Sequence, residues 1–583
     1  MTELTLLQPG DPIDRITGPV GMLFECAPDS QARRSHPGAA ALGELIGDFD
    51  TVKRRASGLA ARLLAGEPSL RGIGQLAVFE EVVIRELQFA LHALHLRRQL
   101  GVMGVRRCRF MRTSRLAQAL ADLRRRGELD VEIDAPAEPG RSTVVRSLAN
   151  SARRLRHSRF SGAACRAELR LVLDRIDPFH RRRALLPRGA HRRGGLWFYG
   201  TAYTYTTIGL LYEPHFPTPF EFLVENAMTG GRALRERGRP FVSVYEFASW
   251  ADAPKAGEAR DAAAALIAHV EGVPLEGDEA LARSVFVRGA FMHTFLRRLL
   301  PSGLFATALF DRWVATVRPD AVIVGNPVFE AYALHAARRR GIPTVLLQHG
   351  ILGDFCQFID PPVDHYVVRG EFWKDFLAPE ARRRACVLDP SPAIAAPRAA
   401  PTDRASVVFI STPYALQEFL DGRDLDAILA VLVAAAKEAG RELVIRVHPL
   451  EQVAHYRTRV RGLLEGMSAA PEVSYSQGPG LDDVLGRAAV AVTLSSTVFL
   501  DCLRHRVPIV SFAWHDFSFR AQIERWGVFR FAPDLSQLKQ LVADAIDGRL
   551  APYAKSTEPF LAATPADALR AGLARLTRPC GRE

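Results

Sequence analysis

AAVAVTLSSTVFLDCLRHRVPIVSF, residues 488–512, sets the fold class. Ala489–Leu494 is an apolar run of strand length, Val498–Arg504 carries the period of a helix, and Pro508–Phe512 is a second apolar run. The chain passes straight from strand to helix through Ser495, Ser496 and Thr497, which predicts a β-α-β unit. The same alternation extends upstream. Val407–Ile410, Leu443–Val447 and Val473–Tyr475 read as strands, with helices at Leu425–Ala439, Glu451–Leu464 and Leu481–Gly486. A closing helix covers about Leu535–Ile546. Repeated β-α units imply a parallel sheet with helices on both faces.

The first half ends in the same grammar. Ala321–Val324, the helix Phe329–Arg340 and Thr344–Leu347 make one βαβ unit. Further upstream, Leu196–Tyr199 and Val242–Tyr245 read as strands separated by a helix over Phe220–Glu236. Helices are expected around Leu42–Leu64 and Leu76–Leu96, then strand-helix-strand over Arg107–Ile133. Asp389–Ala405, DPSPAIAAPRAAPTDRA, has four prolines and no apolar period and reads as a linker. The expected organisation is therefore a mostly helical basic region at 1–190 and a Rossmann-like domain at 191–388. A linker at 389–405 and a second Rossmann-like domain at 406–583 follow.

The chain of 583 residues is too long for one compact core, and its 48% hydrophobic and 24% charged residues are ordinary for a globular protein. No run approaches the roughly 18–20 apolar residues of a membrane span. The N-terminus lacks a basic segment followed by an apolar core, so no signal peptide is expected. Seven dispersed cysteines without a CxxC pair argue against a disulfide framework or a structural zinc site, and for the cytoplasm. The formal charge of +12 is concentrated: residues 101–200 hold 23 arginines against nine acids. That block suits an anionic inner-membrane face or a polyanionic glycan, while a solvated helical surface explains it equally well. Nucleic acid is not expected, because no recognition module or aromatic-basic pattern accompanies the charge.

Ligands of open parallel sheets bind beyond the carboxyl ends of the strands, so the informative residues are polar ones directly after a strand. Arg446-Val447-His448-Pro449-Leu450-Glu451 places His448 straight off a buried run. An imidazole there can give a hydrogen bond or a proton to a phosphate oxygen; a capping or core histidine is the ordinary alternative. Ser495, Ser496 and Thr497, with the amides of a helix start, form a candidate anion site, against simple N-capping. Asp501 lies four residues after Thr497 and is a candidate for a ribose hydroxyl, or a solvated carboxylate. In the first half, Gln348-His349-Gly350 follows a strand, with His349 the candidate and a plain βα turn the alternative. Asn326 ends the preceding strand. Asp354 and Glu246 follow predicted strands and are candidates for an acceptor base. The DxD-like strings Asp424-Leu425-Asp426 and Asp130-Val131-Glu132 do not sit at strand ends, and there is no P-loop or GxSxG elbow. A metal-independent reaction without a bound cofactor is expected.

The combination of QHG at 348–350, R-x-HP-x-E at 446–451 and LSSTVFLDCLRHRVPIV at 494–510 resembles the capsule-polysaccharide glycosyltransferases that include bacterial β-Kdo transferases. It is also similar to the CDP-glycerol glycerophosphotransferases of teichoic acid synthesis and, more distantly, to bacterial polysialyltransferases. The match covers roughly residues 318–515. The resemblance implies a GT-B-like enzyme, two Rossmann-like domains facing a cleft, with an N-terminal Arg-rich region outside the match. It puts His448, Ser495 and Ser496 on the donor's nucleotide phosphate; Arg446, Pro449, Glu451, Thr497 and Asp501 around them are expected donor-side residues. Gln348, Gly350, Asn326 and His349 fall on the acceptor side. His349 belongs mainly to the glycerophosphotransferase pattern, whereas the segment after Thr497 lacks that family's D-Y-S-S motif and reads closer to the capsule group. The implied activity is transfer from a nucleotide donor, CMP-Kdo-like, to a polysaccharide or lipid-linked glycan, cytoplasmic or peripheral at the inner membrane face. Polyol-phosphate transfer, a sugar-nucleotide epimerase and a non-catalytic polysaccharide assembly factor stay open.

Overall fold

The computed structural model describes residues 3–7, 20–22, 45, 49–65, 76–110, 115–135, 192–225, 230–248, 256–288, 292, 300–349, 359–390, 405–411, 422–448, 451–478, 480–493, 498–512, 527–550 and 564–577. Their strands, in chain order, are β1 Glu3–Leu7, β2 Val20–Met22, β3 Arg107–Phe110, β4 Glu132–Asp134, β5 Leu196–Gly200 and β6 Phe220–Val224. Then come β7 Val242–Ser243, β8 Ala321–Val324, β9 Thr344–Leu347, β10 His365–Val368 and β11 Ala385–Val387. The last six are β12 Ser406–Ile410, β13 Glu442–Arg446, β14 Val473–Ser476, β15 Ala488–Thr493, β16 Ile509–Ser511 and β17 Arg530–Phe531. They form three sheets, of orders β2-β1-β3-β4, β11-β10-β9-β8-β5-β6-β7 and β14-β13-β12-β15-β16-β17. Every pairing is parallel.

The six-stranded sheet realises the β-α alternation read from 406–546. From β12 the chain steps outward through β13 to β14, then crosses to β15 and steps the other way. The strand order therefore reverses between β12 and β15. Val407, Phe409, Val490 and Val492 are fully buried against Ile428, Leu432 and Val433 of the helix Gly422–Glu438 and Leu538 and Val542 of the helix Leu535–Ile546. Continuous apolar strands are required because helices cover the sheet.

The seven-stranded sheet has the same logic, with its reversal between β5 and β8. All five residues of β5 are buried. Trp197 meets Trp313 of the helix Leu300–Val317 edge-on at 5.8 Å, while Phe198 packs with Phe220 and Phe222 of β6. The expected α/β class, two Rossmann-like parallel bodies, is thus the observed one.

Several segments differ from the sequence reading. Phe220–Glu236 is not one helix: Phe220–Val224 is a buried strand, and the helix is Gly230–Glu236. Glu221 and Glu225 imitate a helical period, but Phe220, Phe222, Leu223 and Val224 are all buried within the sheet. Val242–Tyr245 is strand only over Val242–Ser243 and then turns into a 3-10 segment, Val244–Phe247. The basic opening region carries its own parallel sheet, in which β3, the helix Arg115–Arg125 and β4 match the strand-helix-strand reading and β1 and β2 add to it. The remainder of the Arg-rich block, 136–191, lies outside the described residues, as does 391–404 of the linker. Asp389 is no linker residue: it is buried, paired with Arg369 at 3.3 Å, and its amide donates to Thr564 Oγ1 at 3.0 Å.

Two compact units emerge. One holds the six-stranded and four-stranded sheets, the other the seven-stranded sheet together with the helix Ala566–Leu576. That helix had been assigned with the rest of 406–583, yet Leu569 and Leu573 complete the core beneath β5 and β8 and Gly572 lies on Leu388.

Two glycines give a paired stability test. A Cβ on Gly230 would stand 2.3 Å from the carbonyl oxygen of Gly200, whereas one on the exposed Gly58 of the helix Phe49–Leu64 meets nothing within 4 Å. Gly230→Ala is expected to cost about 1–3 kcal/mol. Gly58→Ala should gain about 0.5–1 kcal/mol. Urea denaturation of both variants measures the pair.

Candidate functional site

The carboxyl ends of the six-stranded sheet are built around Ser411, the residue directly after β12. Its Oγ accepts the His448 backbone N–H at 2.8 Å and donates to the Glu451 carboxylate, which also accepts from Tyr456 Oη at 3.0 Å. Gln477 Nε2 donates to the carbonyls of His448 and Glu451 at 2.9 and 3.0 Å. The backbone around His448 is therefore pinned from β12, from the β14 end and from its own following turn. The imidazole is half-buried, and burial holds its pKa below the usual histidine value against the opposing pull of Glu451. The shift favours the neutral ring, which can donate from one ring nitrogen and accept at the other.

The remaining donor-side candidates divide. Glu451 buttresses the turn through Ser411 and Tyr456. Arg446 binds Ser476 Oγ at 2.6 Å and the Gly478 carbonyl, joining the ends of β13 and β14. Asp501 accepts from Arg504 at 2.8 Å on its own helix, Phe499–Arg504. Pro449, Ser495, Ser496 and Thr497 lie outside the described residues. Thr493, which ends β15 at the order reversal, is buried and its Oγ1 has no hydrogen-bond partner among the described residues.

In the seven-stranded sheet the corresponding place belongs to a residue the sequence reading did not single out. Glu330 is fully buried, and its carboxylate gathers the strand ends on both sides of the reversal. Oε1 accepts from Thr201 N at 2.9 Å and Thr201 Oγ1 at 3.2 Å, and Oε2 from Gly325 N at 2.7 Å and Asn326 N at 2.9 Å. Burial pushes this carboxyl up to about 7, with the four hydrogen bonds pulling the other way. Asn326 Oδ1 accepts from Val328 N at 2.8 Å and Phe329 N at 3.0 Å, shaping the turn that delivers Glu330.

His349 follows β9, half-buried, with Nδ1 at 2.7 Å from the Gly325 carbonyl oxygen and its ring edge-on to Tyr205 at 4.5 Å. Burial lowers its pKa to about 4, only partly countered by the carbonyl. A carbonyl oxygen can only accept, so Nδ1 carries the proton and Nε2 the lone pair. The structure thus brings Asn326, His349, Glu330 and Tyr205 together. Gln348 is buried, its Oε1 accepting from Arg369 N at 3.0 Å, which ties β9 to the segment after β10. Glu246 stands apart as the capping residue of Val244–Phe247, accepting from Ser243 N at 3.0 Å. That role engages the carboxylate with local backbone. Gly350 and Asp354 lie outside the described residues.

Ser411 and Thr201 are legible in the sequence, standing at or just past the ends of predicted strands. Glu330 was hidden because the helix was drawn from Phe329, whereas it spans Ala331–Arg338. Among the described residues no group of His, Cys, Asp and Glu is placed to hold a metal ion, and no helix is long and apolar enough to cross a membrane. Described arginines of the basic block make ion pairs: Arg107 with Glu132 at 3.0 Å and Arg109 with Asp134 at 3.9 Å.

No family model and no curated protein matches the chain. Solved structures resemble it in fold. The UDP-GlcNAc 2-epimerase of Methanocaldococcus jannaschii, in complex with UDP-GlcNAc and UDP, is 12% identical over 66% of this chain and 99% of its own, with a TM-score of 0.41. MurG of Acinetobacter baumannii is 11% identical over 66% and 94%, at 0.36. The lipopolysaccharide outer core galactosyltransferase WaaB is 10% identical over 66% and 95%, at 0.34. Likeness at this level bears on neither reaction nor substrate.

The half-buried, neutral His349 predicts an acid-sensitive fold. Its folded pKa of about 4 lies below the ordinary 6.5, so the unfolded chain binds more protons between those values. Its contribution is complete above pH 6.5 and is lost as pH falls through about 4. The difference in unfolding free energy between wild type and His349→Gln should shrink by on the order of 3 kcal/mol over that window. Denaturation curves at pH 7 and pH 4 measure it.

Proposed function

We propose that the chain is a GT-B-type, metal-independent glycosyltransferase of surface polysaccharide synthesis, with a CMP-linked, Kdo-like sugar as donor. The observation that carries this reading is the fixing of His448, through its backbone bond to Ser411, beyond the carboxyl end of a strand adjoining a Rossmann-type order reversal. Support also comes from the motif resemblance centred on the same histidine. In this reading the 406–550 body takes the nucleotide, with His448 on the phosphate and Ser495, Ser496 and the helix amides after β15 completing the anion site. The 192–390 body takes the glycan acceptor beside Asn326 and His349.

The acceptor hydroxyl oxygen forms a bond to the anomeric carbon, and the bond from that carbon to the phosphate oxygen breaks. The leaving phosphate keeps the electron pair and gains a hydrogen bond or proton from His448, while the hydroxyl proton passes to a base on the acceptor side. A neutral imidazole suits this role, because an arriving phosphate anion raises its affinity for a proton at the moment charge develops. The Arg-rich block would hold the protein at an anionic membrane surface or on the growing anionic glycan.

His448→Ala should lower transfer by about 10²–10⁴-fold with an unchanged melting temperature. Transfer that survives undiminished would overturn the assignment. Among CMP, CDP, UMP and UDP, CMP should raise the melting temperature most, by mass action on the native state. A larger shift with CDP would redirect the reading to polyol-phosphate transfer, and conversion of donor without acceptor would make the protein an epimerase. Pelleting with anionic liposomes at low salt should capture the protein and release it at high salt. Failure to bind at low salt counts against the membrane role.

A further inference from the structure

Glu330 and His349 share one peptide plane. The N–H of the Gly325–Asn326 peptide donates to Glu330 Oε2 at 2.9 Å, and the carbonyl of the same peptide accepts from His349 Nδ1 at 2.7 Å. A planar peptide transmits orientation rigidly from one end to the other. We propose that Glu330 is a positioning residue for His349, acting through the Gly325–Asn326 peptide to hold the ring in the Nδ1–H tautomer that presents Nε2 to the acceptor hydroxyl. This rests on the reading that the 192–390 body takes the acceptor.

Three observations carry the inference further than a strand clamp would. The carboxylate lies at the reversal of the sheet, where ligands of this architecture bind, rather than at a closed edge. It spends both oxygens on the backbone of Thr201, Gly325 and Asn326, so the His349 acceptor carbonyl has no freedom to rotate away. Tyr205 then closes the ring from its edge at 4.5 Å, fixing its plane. A carboxylate that orients an imidazole and sets its tautomer is a known way to make histidine an efficient base, here with a peptide interposed. Burial keeps the His349 ring in its neutral form, the one that has two tautomers to choose between.

The test is long-range proton–nitrogen NMR on histidine-labelled full-length protein, with the His349 signals assigned by their loss in His349→Gln. Wild type should show the Nδ1–H tautomer, and Glu330→Gln should shift the ring toward mixed tautomers, because the amide nitrogen cannot accept from the two N–H groups it would face. Glu330→Asp, which keeps the charge but withdraws it, gives the same readout where the glutamine variant does not fold. In transfer assays kcat should fall at least about tenfold while KM for the donor is unchanged. An Nε2–H tautomer in wild type, or a folded Glu330 variant with the wild-type His349 spectrum, overturns the proposal. The spectra need no donor. A shifted spectrum therefore supports the Glu330–His349 coupling even where wild type transfers nothing, and that second result alone would sink the proposed function.

Discussion

Parallel strands that part company at an order reversal leave backbone amides pointing into a crevice, and the way those amides are satisfied governs everything built there. In the seven-stranded sheet one buried carboxylate, Glu330, takes three of them and a hydroxyl. In the six-stranded sheet Ser411 takes the amide of His448 and passes the contact to Glu451. Both solutions hold backbone rather than side chains, and each leaves a histidine on rigid support. Unpaired buried amides would cost about 1–3 kcal/mol each, so Glu330 and Ser411 act on stability and geometry together.

Much of this was legible in the sequence, for physical reasons. The β12–β16 body was readable because β12, β15 and β16 are buried along their length and become largely apolar runs, and because helices start within a few residues of the ends of β14 and β15. Phe220–Val224 was not, since two glutamates at helical spacing mask a strand whose other residues are all buried. The helix Ala566–Leu576 reads correctly as a helix but not as a partner of the seven-stranded sheet, because amphipathic period carries no address.

The candidate site shows the same limit. Looking for polar residues just past strands finds His448, His349 and Asn326, which stand there. Arg446, Glu451 and Asp501, expected on the donor side, each have a protein partner in the structure. That pattern misses Glu330, whose side chain reaches back four and five residues to the strand end it serves. Sequence reports which residues leave a strand; it does not report which later residue folds back to hold them.

The account turns on nucleotide phosphate meeting the edge that presents His448. A crystal structure of the protein soaked with CMP tests this most directly. Phosphate oxygens are expected within hydrogen-bond distance of the His448 imidazole and of Ser495 and Ser496. Nucleotide ordered elsewhere, with His448 untouched, would contradict it.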